Sequence, residues 1–184
     1  MSMYPISSYT VPSATGSNIT FTNIPQTFTH LQIRYFVRNN NSGTVSYPNM
    51  YINNDGGSSH FYNHLLSGNG TTAGGGANVN NVFSPGMTGP ATGSLANTYA
   101  CYIIDILDYT STSKYKTIRA FGGFNDNNTS TTNQGIYLAS GANYSILGAV
   151  TQLDFNAYNS NGTGLAAGTR VDVYGITTSN VGTF

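Results

Sequence analysis

The sequence HFYNH places His60 and His64 four residues apart. On a helix that spacing sets both imidazoles on one face, where they could share a zinc ion. Zinc proteases add a glutamate base in the pattern H-E-x-x-H. Here position 61 is Phe61, and the chain contains no Glu. The segment follows the turn-forming NNDGGSS and carries Phe61, Tyr62 and Leu65, so it reads as a strand. Strand positions four apart share a face but lie about 13 Å from each other at ~3.3 Å rise per residue. That is too far for one ion. His30 is the remaining non-local candidate, and cross-strand packing and hydrogen bonding are the expected roles of these histidines. No metal site and no other cofactor is expected.

The carboxylates offer little more. All the acids are aspartates: Asp55, Asp105, Asp108, Asp126, Asp154 and Asp172. Asp105 and Asp108, three apart in one apparent strand, point to opposite faces. Glycosidases need two carboxyls about 5–9.5 Å apart across a sugar. Asp108 is expected to end its strand and cap the YTSTSK turn. The serines lack a G-x-S-x-G elbow, and GTTAGGGAN lacks the Gly-Lys-Ser/Thr ending of a phosphate loop. FNDNNTST surrounds Asp126 with oxygen ligands, but it holds one acid and does not match an EF-hand loop. The chain therefore reads as a non-enzyme. KYKTIR (114–119) is the single local basic group and is expected to be solvated cations around a strand start. Nucleic acid is not an expected partner, since duplex binding needs clustered Lys and Arg. The 14 tyrosines with no tryptophan suit both a sandwich core and surfaces that stack on sugars or proteins.

These side chains need a scaffold, and the composition points to strands. Only 7% of the 184 residues are charged, against roughly 25% in an ordinary domain. The scarcity of Lys and Glu removes the usual exposed helix surface. Zero net charge with 12% aromatics argues for a folded chain and against disorder. Period-two alternation is clear in HLQIRYFVR, where Leu31, Ile33, Tyr35 and Val37 oppose His30, Gln32, Arg34 and Arg38, with Phe36 the apolar exception. VTQLDFNA and TRVDVYGI alternate in the same way. CYIIDIL does so less cleanly, with Tyr102, Ile104 and Ile106 on the core face.

Further strands are expected at 18–24, 49–53, 60–66, 78–83, 116–122 and 135–139. Segments 67–78, 125–134 and 158–168 read as surface loops, and the Asp-Gly of NNDGGSS reads as a hairpin turn. The expected fold is all-β: a single-domain antiparallel β-sandwich of jelly-roll type over residues 13–184. Residues 1–12 form a separate N-terminal arm. Its apolar Tyr4, Pro5 and Ile6 have two equally good destinations, a neighbouring subunit or the arm's own sandwich. Cys101 has no partner for a disulfide and is expected to be a small buried thiol. The first residues lack a basic-then-apolar leader, and no run reaches membrane-spanning length, so no membrane association is expected.

Motif order then adds a resemblance. ITFTNIPQTFTHLQIRYFVR (19–38), YINNDGGSSHFYNHLL (51–66), DILDYTSTSKYKTIRAFGG (105–123), LGAVTQLDFN (147–156) and GTRVDVYGI (168–176) together resemble a family of structural proteins from tailed-bacteriophage virions. The region 67–98 is outside the resemblance. It implies a jelly-roll virion protein, assembled in a host cytoplasm, commonly as a homotrimer. The leading expectation is a capsid decoration or cement protein that bridges major-capsid subunits. The alternative is a tail-fibre or receptor-binding protein that recognises host glycans.

Overall fold

The computed structural model describes residues 2–13, 18–55, 61–68, 73–80, 88–125, 135–143, 147–157 and 164–178, with backbone alone for 61–68, 77–80 and 135–143. Alternation of apolar and polar residues sets its layers. In β3 (His30–Val37), Leu31, Ile33, Tyr35 and Val37 are all fully buried. In β9 (Ala100–Ile106) and β10 (Lys116–Phe124), every second residue is likewise turned inward. Strand side chains alternate between the two faces, so one face of each of these three strands is committed to the core. The other is committed to the surroundings.

The strands assemble into unequal sheets. The larger has eight strands in the order β1-β13-β3-β9-β10-β11-β6-β7, comprising β1 (Ser2–Thr10), β13 (Arg170–Thr177), β3, β9, β10, β11 (Gly135–Asn143), β6 (Phe61–Gly68) and β7 (Ala73–Asn80). All its ladders are antiparallel. The smaller sheet has the order β2-β12-β5, from β2 (Ile19–Phe21), β12 (Leu153–Ala157) and β5 (Pro48–Ile52). A two-stranded ribbon joins β4 (Val45–Ser46) to β8 (Gly89–Pro90). The fold is thus all-β and antiparallel, with the described strands divided eight, three and two.

The core lies between these sheets. Phe155 from the small sheet meets Tyr35 of the large one edge-on, ring centroids 5.1 Å apart, and Phe21 at 6.2 Å. Ile19, Met50, Ile52 and Leu153 complete the small sheet's inner face against Ile33, Ile104, Ile106 and Ile118. Each such side chain contributes roughly 1.5–3 kcal/mol through removal from water. Arg38 pins one end: its guanidinium donates to the carbonyls of Ser94, Leu95 and Thr98 and to the Thr98 hydroxyl. This holds the 91–99 segment against the end of β3.

Several expectations change. The Asp-Gly segment does not make a hairpin between the strands on either side of it. β5 pairs with β12, whereas β6 pairs with β11 and β7. Asn53 and Asn54 take left-handed φ of 53° and 54° and end β5; residues 56–60 lie outside those described. The glycine-rich stretch expected as loop contains β7, paired residue for residue with β6. The arm 2–10 takes the second of its two expected destinations, as an edge strand of the large sheet paired with β13 of the same chain. Tyr4 stacks on Phe28 at 5.8 Å, and Ile6 packs at the margin of the core.

Candidate functional site

Of the sequence-derived candidates, His60 and the Asp126 region lie outside the described residues. His64 sits in β6 opposite Ser140 and Ala77, described by backbone alone. His30 is engaged elsewhere: its Nδ1 accepts the backbone N–H of Asp108 at 2.9 Å. Among the described residues, no group of three His, Cys, Asp or Glu comes together. Asp108 follows β9 in a left-handed conformation, φ 46°. Its carboxylate lies 3.3 Å from the Lys114 ammonium, across the β9–β10 turn.

The KYKTIR cations separate into three environments. Lys114 is solvated, its side chain 68% exposed. Lys116, expected to be solvated, is fully buried. Its ammonium donates to the carbonyls of Ser111 and Lys114, and burial lowers its pKa while Asp108 opposes that shift. The hairpin folds around this amine, so its charge serves the turn. Arg119 donates to Asp105 at 2.6 Å.

Arg119 and Asp105 belong to the outer face of the large sheet, the face turned away from the small one. This face combines two kinds of surface. Across β13 and β3 it is polar: Arg170 donates to Asp172 at 2.8 Å, and the Arg34 guanidinium sits 5.1 Å above the Tyr174 ring. Asp105 also accepts from the Gln32 amide at 3.0 Å. Across β9 and β10 the surface turns apolar. Ile103 and Phe121 are register partners, 40% and 53% exposed. Phe36, itself 39% exposed, is partnered with Cys101 on the same face. In the backbone register, Leu138 stands opposite Phe121 and Leu66 opposite Leu138. A shallow depression is lined by Gln32, Ile103, Asp105, Arg119 and Phe121.

Cys101, expected to be buried, is exposed. The strand's alternation gives Tyr102 and Ile104 to the core, so Cys101 and Ile103 must face out. Desolvation raises the thiol pKa, with Arg34 pulling the other way, and the raised value favours the protonated thiol over the reactive thiolate. The tyrosines divide. Tyr35, Tyr102 and Tyr109 are buried, whereas Tyr4, Tyr9, Tyr47 and Tyr115 are exposed. Tyr102 uses its hydroxyl to accept from Thr88 N–H and donate to Thr88 C=O.

Chemically, this face offers flat apolar contact bordered by oriented charges. In the sequence, Phe36 stands out as the apolar exception to its strand's alternation, and the core face of CYIIDIL leaves Ile103 on the opposite side; Phe121 carries no such signal. Comparison with protein-family models, with curated proteins and with solved structures finds no match to the chain.

Proposed function

We propose that this chain is a non-enzymatic structural protein of a bacteriophage virion, a capsid decoration protein that grips neighbouring subunits with the outer face of its large sheet. The virion setting rests on the motif resemblance. The gripping face rests on one observation: Phe36, Ile103 and Phe121 stand exposed together within the large sheet, away from its edge strands. Large side chains so placed are what a protein partner buries, with the charges of Asp105, Arg119 and Arg34 at the margin to fix orientation. On this reading the partner is the major capsid protein, and the protein works by joining capsid subunits.

The test is immunogold labelling of intact virions with antibody to this chain. Label over the whole head supports decoration, and heads assembled with Phe121→Thr, Ile103→Thr protein should then carry far fewer copies. Label confined to the tail or its fibres sinks the decoration reading.

It would favour the second reading, a tail-associated protein that binds host glycans. Tyr47 and Tyr115, both about half exposed and outside the strands, support that alternative, since tyrosine rings stack on sugars. There, free protein should compete with infection, and Tyr47→Ala with Tyr115→Ala should abolish the competition.

A further inference from the structure

Strand β1 is held differently from β13, the strand it pairs with. Eight of its nine residues are exposed, and Ile6 alone is half-buried. Its side-chain attachments are few: the Tyr4–Phe28 stack, Ile6 at the core margin, and the Ser8 hydroxyl donating to Asp172. The remaining hold is the backbone ladder to β13, running from Ser2↔Thr177 to Thr10↔Arg170. Immediately after the strand the situation reverses. Val11 is 1% exposed, its N–H donates to the Thr169 carbonyl at 2.8 Å, and its carbonyl accepts from Gly168 at 2.9 Å. Val11 is therefore rooted in the body, and everything before it is laid on the surface.

Backbone ladder bonds are the same whichever chain supplies the strand. An arm that buries little in its own body gives up little by leaving it, provided an identical edge receives it. Here the receiving edge is defined by its present occupant. β13 accepts a strand with a proline at position 5 and a register shift between Pro5 and Ser7. It offers Gly175, over which the Phe28 ring lies, as the seat for Tyr4. Nine extended residues reach about 30 Å at ~3.3 Å each, enough to cross to an adjoining molecule. Zero net charge leaves no overall repulsion between copies.

We propose that β1 is an exchangeable arm. Pivoting at Thr10, ahead of the rooted Val11, it pairs with β13 of a second copy of this chain in the register seen here within one chain. Exchange passed reciprocally between two copies, or around a ring, leaves every β13 edge filled and closes the assembly. The outer edge of β1 is blunted by Pro5, which has no N–H, and by the bulge, so the sheet does not extend further. This arm exchange holds whether the outer face meets a capsid or a glycan.

Cysteine trapping tests it. Ser8 and Asp172 are register partners on one face, so in a C101S background the double variant S8C/D172C forms a disulfide inside one chain if the arm stays home. The decisive experiment co-expresses two single variants, S8C/C101S and D172C/C101S, carrying tags of different size. Arm exchange predicts a mixed disulfide dimer, identified by its mass on non-reducing gels and lost on reduction. Absence of that mixed dimer, while the double variant closes within its own chain, overturns the proposal. If the Asp172 substitution impairs folding, M3C and I176C, also register partners, replace the pair under the same two outcomes.

Discussion

Ile103 and Ile104 are neighbours in β9 with identical side chains, yet Ile104 is fully buried and Ile103 is 40% exposed. Ile104 packs among Ile33, Ile118 and the aromatic cluster of Tyr35 and Phe155. Ile103 stands beside Phe121 on the opposite face, next to a bordered ion pair. The same residue type thus serves stability on one side of the sheet and stays available on the other. Composition cannot separate these roles. Only the parity of the strand, set by which face the small sheet covers, decides between them.

The comparison breaks most visibly on the inner side. Phe155→Ala removes the ring between Phe21 and Tyr35, and should destabilise the protein by about 3–5 kcal/mol, read as a lower midpoint in chemical denaturation. Tyr35→Phe sharpens the same face in the opposite direction. The Tyr35 hydroxyl is buried with no hydrogen-bond partner among the described residues, so removing it should stabilise the fold by about 1 kcal/mol at neutral pH. Burial also pushes the Tyr35 phenol well above its ordinary range. Above about pH 10 the unfolded chain releases that proton while the folded protein keeps it, so stability falls by up to about 1.4 kcal/mol per pH unit. Tyr35→Phe should flatten that alkaline fall, and denaturation midpoints between pH 8 and 11 measure it. An equally steep fall in the variant would assign the effect to other tyrosines, Tyr109 first, whose pKa is also raised by burial.

On the outer side, Ile103→Thr and Phe121→Thr keep a strand-favouring side chain and should each shift stability by no more than about 0.5 kcal/mol. A loss comparable to that of Phe155→Ala would mean that the outer row is structural, and the docking role would fall with it.

Legibility in the sequence followed side-chain pattern. His30–Val37, Leu153–Ala157 and Arg170–Thr177 lie where alternation puts them because each has one buried face. β1 escaped as a strand because it is exposed on both faces, and β7 because Ala73–Gly76 carries almost no side chain to alternate. The break between β5 and β6 was hidden for another reason: a turn motif specifies local geometry, not which layer the next strand joins. At the site, Phe36 was a visible anomaly. Ile103 was set opposite the core face of CYIIDIL by alternation but not marked as a contact residue, and Phe121 declares its face only once the opposing sheet is placed. Lys116 was misread because its burial depends on carbonyls of its own turn, a contact that spacing does not reveal.

The scarcity of basic residues and their placement also govern how the protein meets a digestive enzyme. Trypsin cuts after Lys and Arg, and here all six sit within described structure. Arg34, Lys116, Arg119 and Arg170 lie in strands paired on both sides, and the Arg38 guanidinium is bonded to the 94–98 backbone. Lys114 alone sits in a turn, with its side chain mostly exposed beside Asp108. Cleavage needs a locally opened chain, so limited digestion of the native protein should yield one early nick after Lys114. The two fragments would stay associated through the sheets, and the remaining sites would yield only as the molecule unfolds.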